Sequence, residues 1–334
     1  MRIGTFNLEN LDFDPANPDR LEARVSILRP QLERLDADIL CLQENNAQAG
    51  HDGASGDKAR TLQALDVLIG ETAYARYHRA HTTSPSGPFP KDRHNLVVLS
   101  RYPLITSEEI HHHLVSPPLY RMATAKSDTN TPADVEPVEW DRALLHVVVD
   151  AGYDRPVHVI NLHLRAPRAA FIPGQKHDSR AWKTTPGWAE GFFLAAIKRA
   201  GQALEARLLI DRLFDQDETA LIAVAGDFNA DDHEVPARII RGDEGDVGNP
   251  MLARRMLVPV ERAIAAADRH SVIHGGRAQM LDHIFASREL MAFFQSSEVH
   301  NEMLGDEALD ATAFRASPES YHAPMVAKFR TPDA

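Results

Sequence analysis

The sequence predicts a fold of the α+β class, in which short β-strands and longer α-helices alternate irregularly along the chain. Three observations lead to this prediction. Apolar runs rich in Val, Ile and Leu recur and are bounded by Gly, Pro, Asp or Asn, which is typical of strands. Segments with apolar residues at three- and four-residue spacing lie between them, as in amphipathic helices. The irregular alternation in both halves suits such a fold better than it suits a doubly wound parallel sheet.

The predicted strands are short and mostly apolar, as expected of strands that are buried on at least one face. They cover Ile3–Leu8, Ile39–Leu42, Leu96–Ser100, Ala143–Val149, Val157–Leu164, Leu221–Ala225, Met280–Ala286 and Met325–Phe329. The helical spacing predicts helices at Arg20–Leu35, Ala59–Ile69 and Trp188–Phe214. The sequence shows neither a short-period repeat nor a linker-like change of composition, so we expect one domain over residues 1–330.

The composition is that of a folded globular protein and narrows the range of functions. Of the 334 residues, 43% are hydrophobic and 25% are charged, which excludes a disordered or collagen-like chain. The net charge is −12, from 36 basic and 48 acidic residues. This argues against a protein that coats duplex DNA through a broad basic face, because such binding needs many Lys and Arg contacts to phosphate. An anionic substrate held by a metal ion and a few local arginines remains compatible with it.

The first residues and the single cysteine indicate where the protein works. Residues 1–7 lack the apolar region of a signal peptide, and no apolar run approaches the ~20 residues of a membrane helix. Cys41 is the one cysteine, and its apolar neighbours predict a buried thiol. We expect a cytoplasmic monomer with no integral membrane association.

The strongest local motif is Gly226-Asp227-Phe228-Asn229, which follows the predicted strand Leu221–Ala225. In an extended segment, residues two apart point to the same side, so Asp227 and Asn229 can reach one small polar group together. A carboxylate and a carboxamide suit a hard cation, a water molecule or a phosphate oxygen. An Asp/Asn turn that closes a strand would look the same, so the motif alone leaves both interpretations open.

Three further polar residues lie at or near the ends of predicted strands. Glu44 follows the strand Ile39–Leu42 and offers the carboxylate oxygen that Mg²⁺ prefers. Asp282 lies in a late strand and His322 lies just before the last one. A carboxylate paired with a histidine orients the imidazole and raises its basicity. Taken alone, each of the three also fits an unrelated polar residue at a strand end.

A histidine, His163, lies inside the otherwise apolar strand Val157–Leu164, where a lone histidine is usually structural. The segment from Arg165 to Gly187 follows it and contains five basic residues and one acidic residue, a local charge of +4 in a chain of −12. A basic segment beside a strand-end histidine favours an anionic substrate. A solvated basic loop is the alternative.

In their order along the chain, these motifs and a few others resemble the endonuclease/exonuclease/phosphatase superfamily. The motifs are Thr5-Phe6-Asn7, Leu42-Gln43-Glu44, Leu99-Ser100-Arg101-Tyr102-Pro103, Asn161-Leu162-His163, Gly226-Asp227-Phe228-Asn229, Leu281-Asp282-His283-Ile284 and His322-Ala323-Pro324. The superfamily includes pancreatic-type deoxyribonuclease, abasic-site endonuclease, neutral sphingomyelinase and inositol polyphosphate 5-phosphatase. Each motif is weak alone, but their order over nearly the whole chain is specific. The resemblance implies a four-layer α/β/β/α sandwich of two mixed β-sheets flanked by helices.

The resemblance also implies which residues bind the cation and handle the proton of water. Glu44 would bind Mg²⁺ or Mn²⁺, with Asn7 nearby. Asp282 would orient His322, which would act as a general base or as a phosphate-binding group. Asp227 would act on the attacking water.

Other residues would contact the phosphate of the substrate. The resemblance implies that Asp227 and Asn229 together position the attacking water and a phosphate oxygen, and that His163 binds the phosphate and helps to stabilise the transition state. Arg142, just before the strand Ala143–Val149, resembles a phosphate-contacting arginine of the superfamily. Arg165 and Lys176 of the basic segment are further candidates for substrate binding.

The chain departs from the superfamily at Tyr321, where many members have an aspartate before the last histidine. A phenol of pKa ~10 is mostly protonated at neutral pH and is a poor Mg²⁺ ligand, so we predict one main metal site, centred on Glu44.

The predicted function is metal-dependent hydrolysis of phosphodiesters by in-line attack of water, with nucleic acid favoured as substrate. The alternatives are hydrolysis of inositol phosphates or phospholipids, and a non-catalytic binding module. We expect the loops Lys126–Val138 and Pro167–Pro186 to select the substrate.

Overall fold

The structure is a computed structural model, and it describes residues 1–49, 59–85, 87–125, 134–309 and 318–331. Its main feature is a pair of six-stranded mixed β-sheets. In the first sheet the strands lie in the order Phe294–Val299, Met325–Phe329, Arg2–Leu11, Ile39–Asn45, Asn95–Ser100 and His78–His81. In the second sheet the order is Leu257–Pro259, Asp282–Ser287, Leu221–Asp227, Val157–His163, Leu144–Val149 and Leu104–Ile110.

Each large sheet contains one parallel pair of strands near its centre, and its other neighbours run antiparallel. In the first sheet Arg2–Leu11 runs parallel to Ile39–Asn45. In the second sheet Val157–His163 runs parallel to Leu221–Asp227. Because the carboxyl ends of parallel strands meet at one edge, each sheet brings two strand ends together at the same place.

Buried apolar residues fill three layers, which confirms the predicted four-layer sandwich. One cluster lies between the sheets and joins residues such as Ile39 and Val98 of the first sheet to Val147 and Ala223 of the second. A second cluster packs the outer face of the first sheet against the helix Pro18–Leu35. A third packs the outer face of the second sheet against a long helix. Each sheet is therefore buried on both faces, which explains its nearly continuous apolar runs.

The helices and the remaining short elements lie outside the two large sheets. The α-helices are Pro18–Leu35, Gln63–Ile69, Thr185–Gln216, Val235–Arg241, Glu244–Val247 and Arg288–Met291. The 3₁₀-helices are Ala73–Arg76, Pro250–Arg255 and Val260–Ala263. Three two-stranded sheets pair Gln48–Ala49 with Arg60–Thr61, Leu119–Arg121 with Val135–Pro137, and Val272–His274 with Arg277–Gln279. Within the described residues, none of these helices has the length and apolar character that crossing a membrane requires.

All eight predicted strands are present, with ends that differ from the predicted ones by at most three residues. Four strands of the large sheets were not predicted, because all four are edge strands and carry few buried apolar residues. They are His78–His81, Leu104–Ile110, Leu257–Pro259 and Phe294–Val299.

The three predicted helices are also present, and one of them starts later than expected. The helix expected at Ala59–Ile69 begins at Gln63, since the preceding Arg60–Thr61 forms a strand with Gln48–Ala49. The long helix begins at Thr185, where the Thr184 hydroxyl accepts a hydrogen bond from the backbone N–H of Gly187 at 3.0 Å. Cys41 is buried, as predicted.

Candidate active site

The ends of the two parallel strand pairs meet between the sheets and bring four polar side chains together. Asn7 Nδ2 lies 3.4 Å from Glu44 Oε1 and donates a hydrogen bond to Asp227 Oδ2 at 3.1 Å. His163 Nε2 lies 3.6 Å from Glu44 Oε1 and 3.3 Å from Asp227 Oδ2. Asn7 and Glu44 come from the first sheet, and His163 and Asp227 are paired neighbours in the second. The site therefore depends on both sheets.

A tight turn after the strand Leu221–Asp227 brings Asp227 and Asn229 together. Asn229 has a left-handed backbone with φ 48°, so the two residues meet through a turn and not through the extended chain expected from the sequence. The Asn229 backbone N–H donates to Asp227 Oδ1 at 2.8 Å, and its side-chain Nδ2 donates to Asp227 Oδ2 at 3.0 Å. Gly226 has φ +146°, and a Cβ at this position would collide with the Leu162 carbonyl oxygen. Only glycine therefore allows this close approach of two strands.

The predicted pair of Asp282 and His322 forms beside Asp227. His322 Nδ1 and Asp282 Oδ2 are 2.8 Å apart, and Asp282 is the paired neighbour of Asp227 across the sheet. Ser320 holds the histidine in place, since its Oγ donates to the Asn7 carbonyl at 2.7 Å and accepts from the His322 N–H at 3.1 Å. The last strand is thus tied to the first at the site.

Burial and charge set the protonation state of this pair and of its neighbour Asp227. Burial lowers the pKa of His322, but the nearby carboxylates of Asp282 and Asp227 outweigh it and raise the pKa to about 10. Burial raises the pKa of Asp227, but His322 and His163 outweigh it and hold that pKa below its usual range. At neutral pH we therefore expect an imidazolium at His322 and a carboxylate at Asp227.

Two residues that the sequence reasoning missed, His94 and Glu9, also belong to this site. A ring nitrogen of His94 lies within 4.8 Å of ligand atoms of Glu44 and His163. Arg142 Nη2 lies 3.2 Å from His94 Nδ1. Since a guanidinium can only donate, Nδ1 accepts and the neutral ring carries its proton on Nε2. Burial, with the charge of Arg142, lowers the pKa of His94 to about 4 and keeps the ring neutral.

Glu9 approaches the site from the same strand as Asn7. Its Oε2 accepts a hydrogen bond from the Tyr321 backbone N–H at 2.8 Å, and burial raises its pKa. Glu9 lies two residues after Asn7, so the alternation of a strand could have revealed it. His94 had a weaker signal, the polar run Lys91–Asn95 that leads into an apolar strand.

Backbone strain is concentrated at this site. In the described residues, seven residues other than glycine have positive φ. Five of the seven belong to the site or adjoin it: Glu9, Asn10, Glu44, His94 and Asn229. Such conformations cost free energy and are retained where the surrounding structure enforces them, often at functional sites.

The donor groups at the site fit a hard divalent cation. Glu44 and Asp227 are two carboxylates that face one another across His163, and Mg²⁺ typically takes one or two protein carboxylates together with waters and phosphate oxygens. Burial raises the pKa of Glu44, but His163, His94 and Arg142 outweigh it and favour the ionised form. Asn7 Oδ1 accepts from the Glu9 N–H at 2.9 Å, so its amide N–H, not its oxygen, faces the carboxylates. Asn7 as a metal ligand stays a prediction.

The three basic residues expected to bind substrate lie at different distances from the site. Arg142 is at the site, where it contacts His94 and donates to the Leu164 carbonyl at 3.0 Å. Arg165 lies beside it and pairs with Asp141 at 2.7 Å. Lys176 donates to the Ser179 carbonyl at 2.6 Å and lies 4.9 Å from the centre of the Trp182 ring, and none of its described contacts is with the site.

Comparison with known proteins shows the family to which the chain belongs. The chain matches the Endonuclease/Exonuclease/phosphatase family over residues 4–303. No curated protein gives a significant match. The chain belongs to the endonuclease/exonuclease/phosphatase family, whose members are hydrolases of phosphodiester and other phosphate-ester bonds and generally use divalent metal ions.

Solved structures of low sequence identity share the fold over nearly the whole chain. An AP endonuclease from Archaeoglobus fulgidus has a TM-score of 0.51 and 16% identity, with 98% of this chain and 99% of that chain covered. A truncated TDP2 from Caenorhabditis elegans has a TM-score of 0.55 and 15% identity, with 98% and 96% covered. The 3′ phosphatase NExo from Neisseria, bound to product DNA hairpin, has a TM-score of 0.50 and 16% identity, with 99% of each chain covered.

Proposed function

We propose that this protein hydrolyses phosphodiester bonds by in-line attack of water, in a nuclease-like reaction that uses Mg²⁺ or Mn²⁺. The observation that carries the proposal is the meeting of Glu44, Asp227 and the Asp282–His322 pair at one end of both sheets. Glu44 is the residue best placed to hold the cation, with Asp227 facing it. A cation bound there would supply positive charge to the phosphoryl oxygens and to the leaving oxygen.

The protein's own groups then move the proton and stabilise charge. Asp227 is ionised and accepts the proton of the attacking water, while Asn229 holds the Asp227 carboxylate by two hydrogen bonds. His322 is positively charged in its pair with Asp282 and donates from Nε2 to a phosphate oxygen or to the leaving oxygen. His163 and Arg142 add hydrogen-bond donors where negative charge develops.

The test is turnover of a generic aryl phosphodiester with Mg²⁺ or Mn²⁺ and with a chelator. We expect metal-dependent turnover that is lost in Asp227→Asn. Near-normal turnover in that variant, or in the wild type in the presence of the chelator, would refute the proposal. Absence of turnover on a panel of nucleic acids, inositol phosphates and phospholipids would favour the non-catalytic alternative, for which Tyr321 is the sequence argument.

The substrate class is the second part of the proposal. Nucleic acid is favoured, because the similar NExo structure is bound to a DNA hairpin. The net charge of −12 favours the alternative, a small or lipid-borne phosphate ester. The loop Lys126–Val138 was expected to select the substrate, and its residues 126–133 lie outside the described residues.

We further propose that residues 1–330 form one catalytic domain and that the chain acts as a monomer in the cytoplasm.

A further inference from the structure

A cavity of about 250 Å³ lies beside the candidate active site and has a strongly basic lining. Four of its lining residues are cationic and one, Asp141, is acidic, which makes a net charge of +3 in a chain of −12; the cations are Lys91, Arg93, Arg142 and Arg165. A concentration of positive charge in a concave, partly desolvated space attracts an anion far more strongly than the same charges on an open surface.

The cavity adjoins the cluster where the phosphodiester would be cleaved, and most of its lining lies outside that cluster. Its lining includes neither Glu44 nor His163, and also neither Asp227 nor His322. The residues shared by the two spaces are His94, which approaches Glu44 and His163, and Arg142, which contacts His94. An anion in the cavity would therefore lie next to the cleaved bond without being part of it.

The four cations differ in whether a carboxylate of the protein neutralises them. Lys91 Nζ pairs with Glu109 at 2.5 Å, and Arg165 pairs with Asp141, so both are partly neutralised. Arg142 and Arg93 have no carboxylate partner among the described ion pairs, and Arg93 is exposed. Two guanidinium groups without a carboxylate partner line one cavity of a protein that is acidic as a whole. A phosphate group, which accepts paired hydrogen bonds from guanidinium, matches this lining.

We propose that this cavity binds a second phosphate group of the substrate, a phosphomonoester next to the phosphodiester that is cleaved. The inference rests on the proposed function and narrows its substrate to compounds that carry a terminal phosphate. The cavity has room for a phosphate and part of the sugar attached to it, but not for the backbone of a duplex. A phosphorylated end of a nucleic acid and a multiply phosphorylated polyol present the same group, and the experiment separates them.

The kinetic test compares two chromogenic substrates that differ by one phosphate. They are the p-nitrophenyl ester of thymidine 5′-phosphate and the same ester with an added 3′-phosphate. We expect the added phosphate to lower KM by about tenfold in the wild type. This factor corresponds to the free energy of one charge-assisted hydrogen bond to an exposed arginine. In Arg93→Met the ratio of the two KM values should fall towards one. Arg254→Met, which removes an equal charge from an exposed site outside the cavity, should leave the ratio at the wild-type value.

A binding measurement separates failure of this inference from failure of the proposed function. Calorimetric titration with inorganic phosphate, in the presence of a chelator, measures binding without turnover. We expect Arg93→Met to weaken phosphate binding by about tenfold and Arg254→Met to leave it unchanged. The proposed subsite is refuted if the wild type turns over both esters with equal KM. It is also refuted if Arg93→Met binds inorganic phosphate as tightly as the wild type does. Phosphate binding without turnover of either ester supports the subsite and refutes the proposed function.

Titrations with three further ligands identify the class of compound that carries the phosphate. Tighter binding of thymidine 3′,5′-bisphosphate than of thymidine 5′-monophosphate supports a nucleic-acid end. Tighter binding of inositol 1,4-bisphosphate than of either nucleotide supports a phosphorylated polyol. Equally weak binding of all three, unaffected by Arg93→Met, overturns the inference.

Discussion

Two carboxylate–imidazole pairs lie back to back on the strand Asp282–Ser287, and they differ in what the second nitrogen of the ring contacts. Asp282 and His283 are neighbours, so their side chains point to opposite faces of the sheet. Asp282 Oδ2 pairs with His322 Nδ1 at 2.8 Å, and His283 Nδ1 pairs with Glu261 Oε1 at 2.5 Å. The same chemistry thus occurs twice within two residues.

The pair of His283 and Glu261 is structural. Both residues are buried, and the Nε2 atom of His283 donates to the Ala230 carbonyl at 2.8 Å. Burial lowers the pKa of His283, but Glu261 and Ala230 outweigh it and raise the pKa to about 9. Both ring nitrogens are therefore occupied as donors, and the ring ties the turn after Asn229 to the 3₁₀-helix Val260–Ala263.

In the pair of His322 and Asp282, by contrast, no described group of the protein bonds to the second ring nitrogen. The His322 side chain is 16% exposed, and within the described contacts its Nε2 has no hydrogen-bond partner. A histidine paired with a buried carboxylate therefore becomes reactive or structural according to what its second nitrogen faces.

The largest expected difference between the pairs is in turnover. We expect His322→Ala to lower kcat by about 10²–10⁴-fold, the usual contribution of a positioned proton donor or acceptor. The measurement is kcat on the aryl phosphodiester at saturating metal. His233→Ala is the control, since His233 lies in another acidic cluster, with Asp231 and Asp232, and is 77% exposed. A larger loss in His233→Ala than in His322→Ala would place the reaction elsewhere.

The next largest effect is on stability, and it belongs to the structural pair. His283→Gln leaves Glu261 buried without its cation, and we expect the free energy of unfolding to fall by about 3–5 kcal/mol. Urea unfolding at neutral pH measures it. The double variant Glu261→Gln/His283→Gln removes both charges and should recover most of the loss. If His283→Gln unfolds at the same urea concentration as the wild type, the pair of His283 and Glu261 carries no charge.

A smaller effect is expected from Ser271, which holds the backbone at Asp282 of the Asp282–His322 pair. Its Oγ accepts from the backbone N–H groups of Leu281 and Asp282, both at 3.0 Å. Ser271→Ala leaves these buried donors unpaired, and we expect a loss of about 1–3 kcal/mol in the free energy of unfolding. We also expect a severalfold lower kcat with little change in KM. Ser271→Thr, which keeps the hydroxyl, should restore kcat, and a failure to restore it would point to packing instead.

The most gradual effect is the pH dependence of stability. The pKa of His283 is about 9 in the folded chain and about 6.5 in the unfolded chain. Its ion pair therefore contributes fully below about pH 6.5 and is lost as the pH rises through about 9. The difference in unfolding free energy between wild type and His283→Gln should shrink across this window. A difference that grows with pH would contradict the protonated state of the ring.

The order of motifs along the chain was sufficient to predict the family, the four-layer fold and the central strands. This succeeded because each of the predicted strands is buried on both faces and carries a continuous apolar run. The residues Glu44, His163, Asp227 and His322 were predicted from short motifs at strand ends, where alternation stops and polar groups stand out.

The tertiary structure alone decided how these residues face one another and which others join them. His94 enters the site through a left-handed backbone conformation that no spacing rule indicates, and Glu9 enters because the strand Arg2–Leu11 continues past Asn7. The resemblance to the family implied that Asp282 orients His322, but nothing in the sequence indicated a partner for its neighbour His283. Their partners, His322 and Glu261, lie 40 and 22 residues away along the chain, so only the packing of the two sheets shows what the second nitrogen of each ring faces.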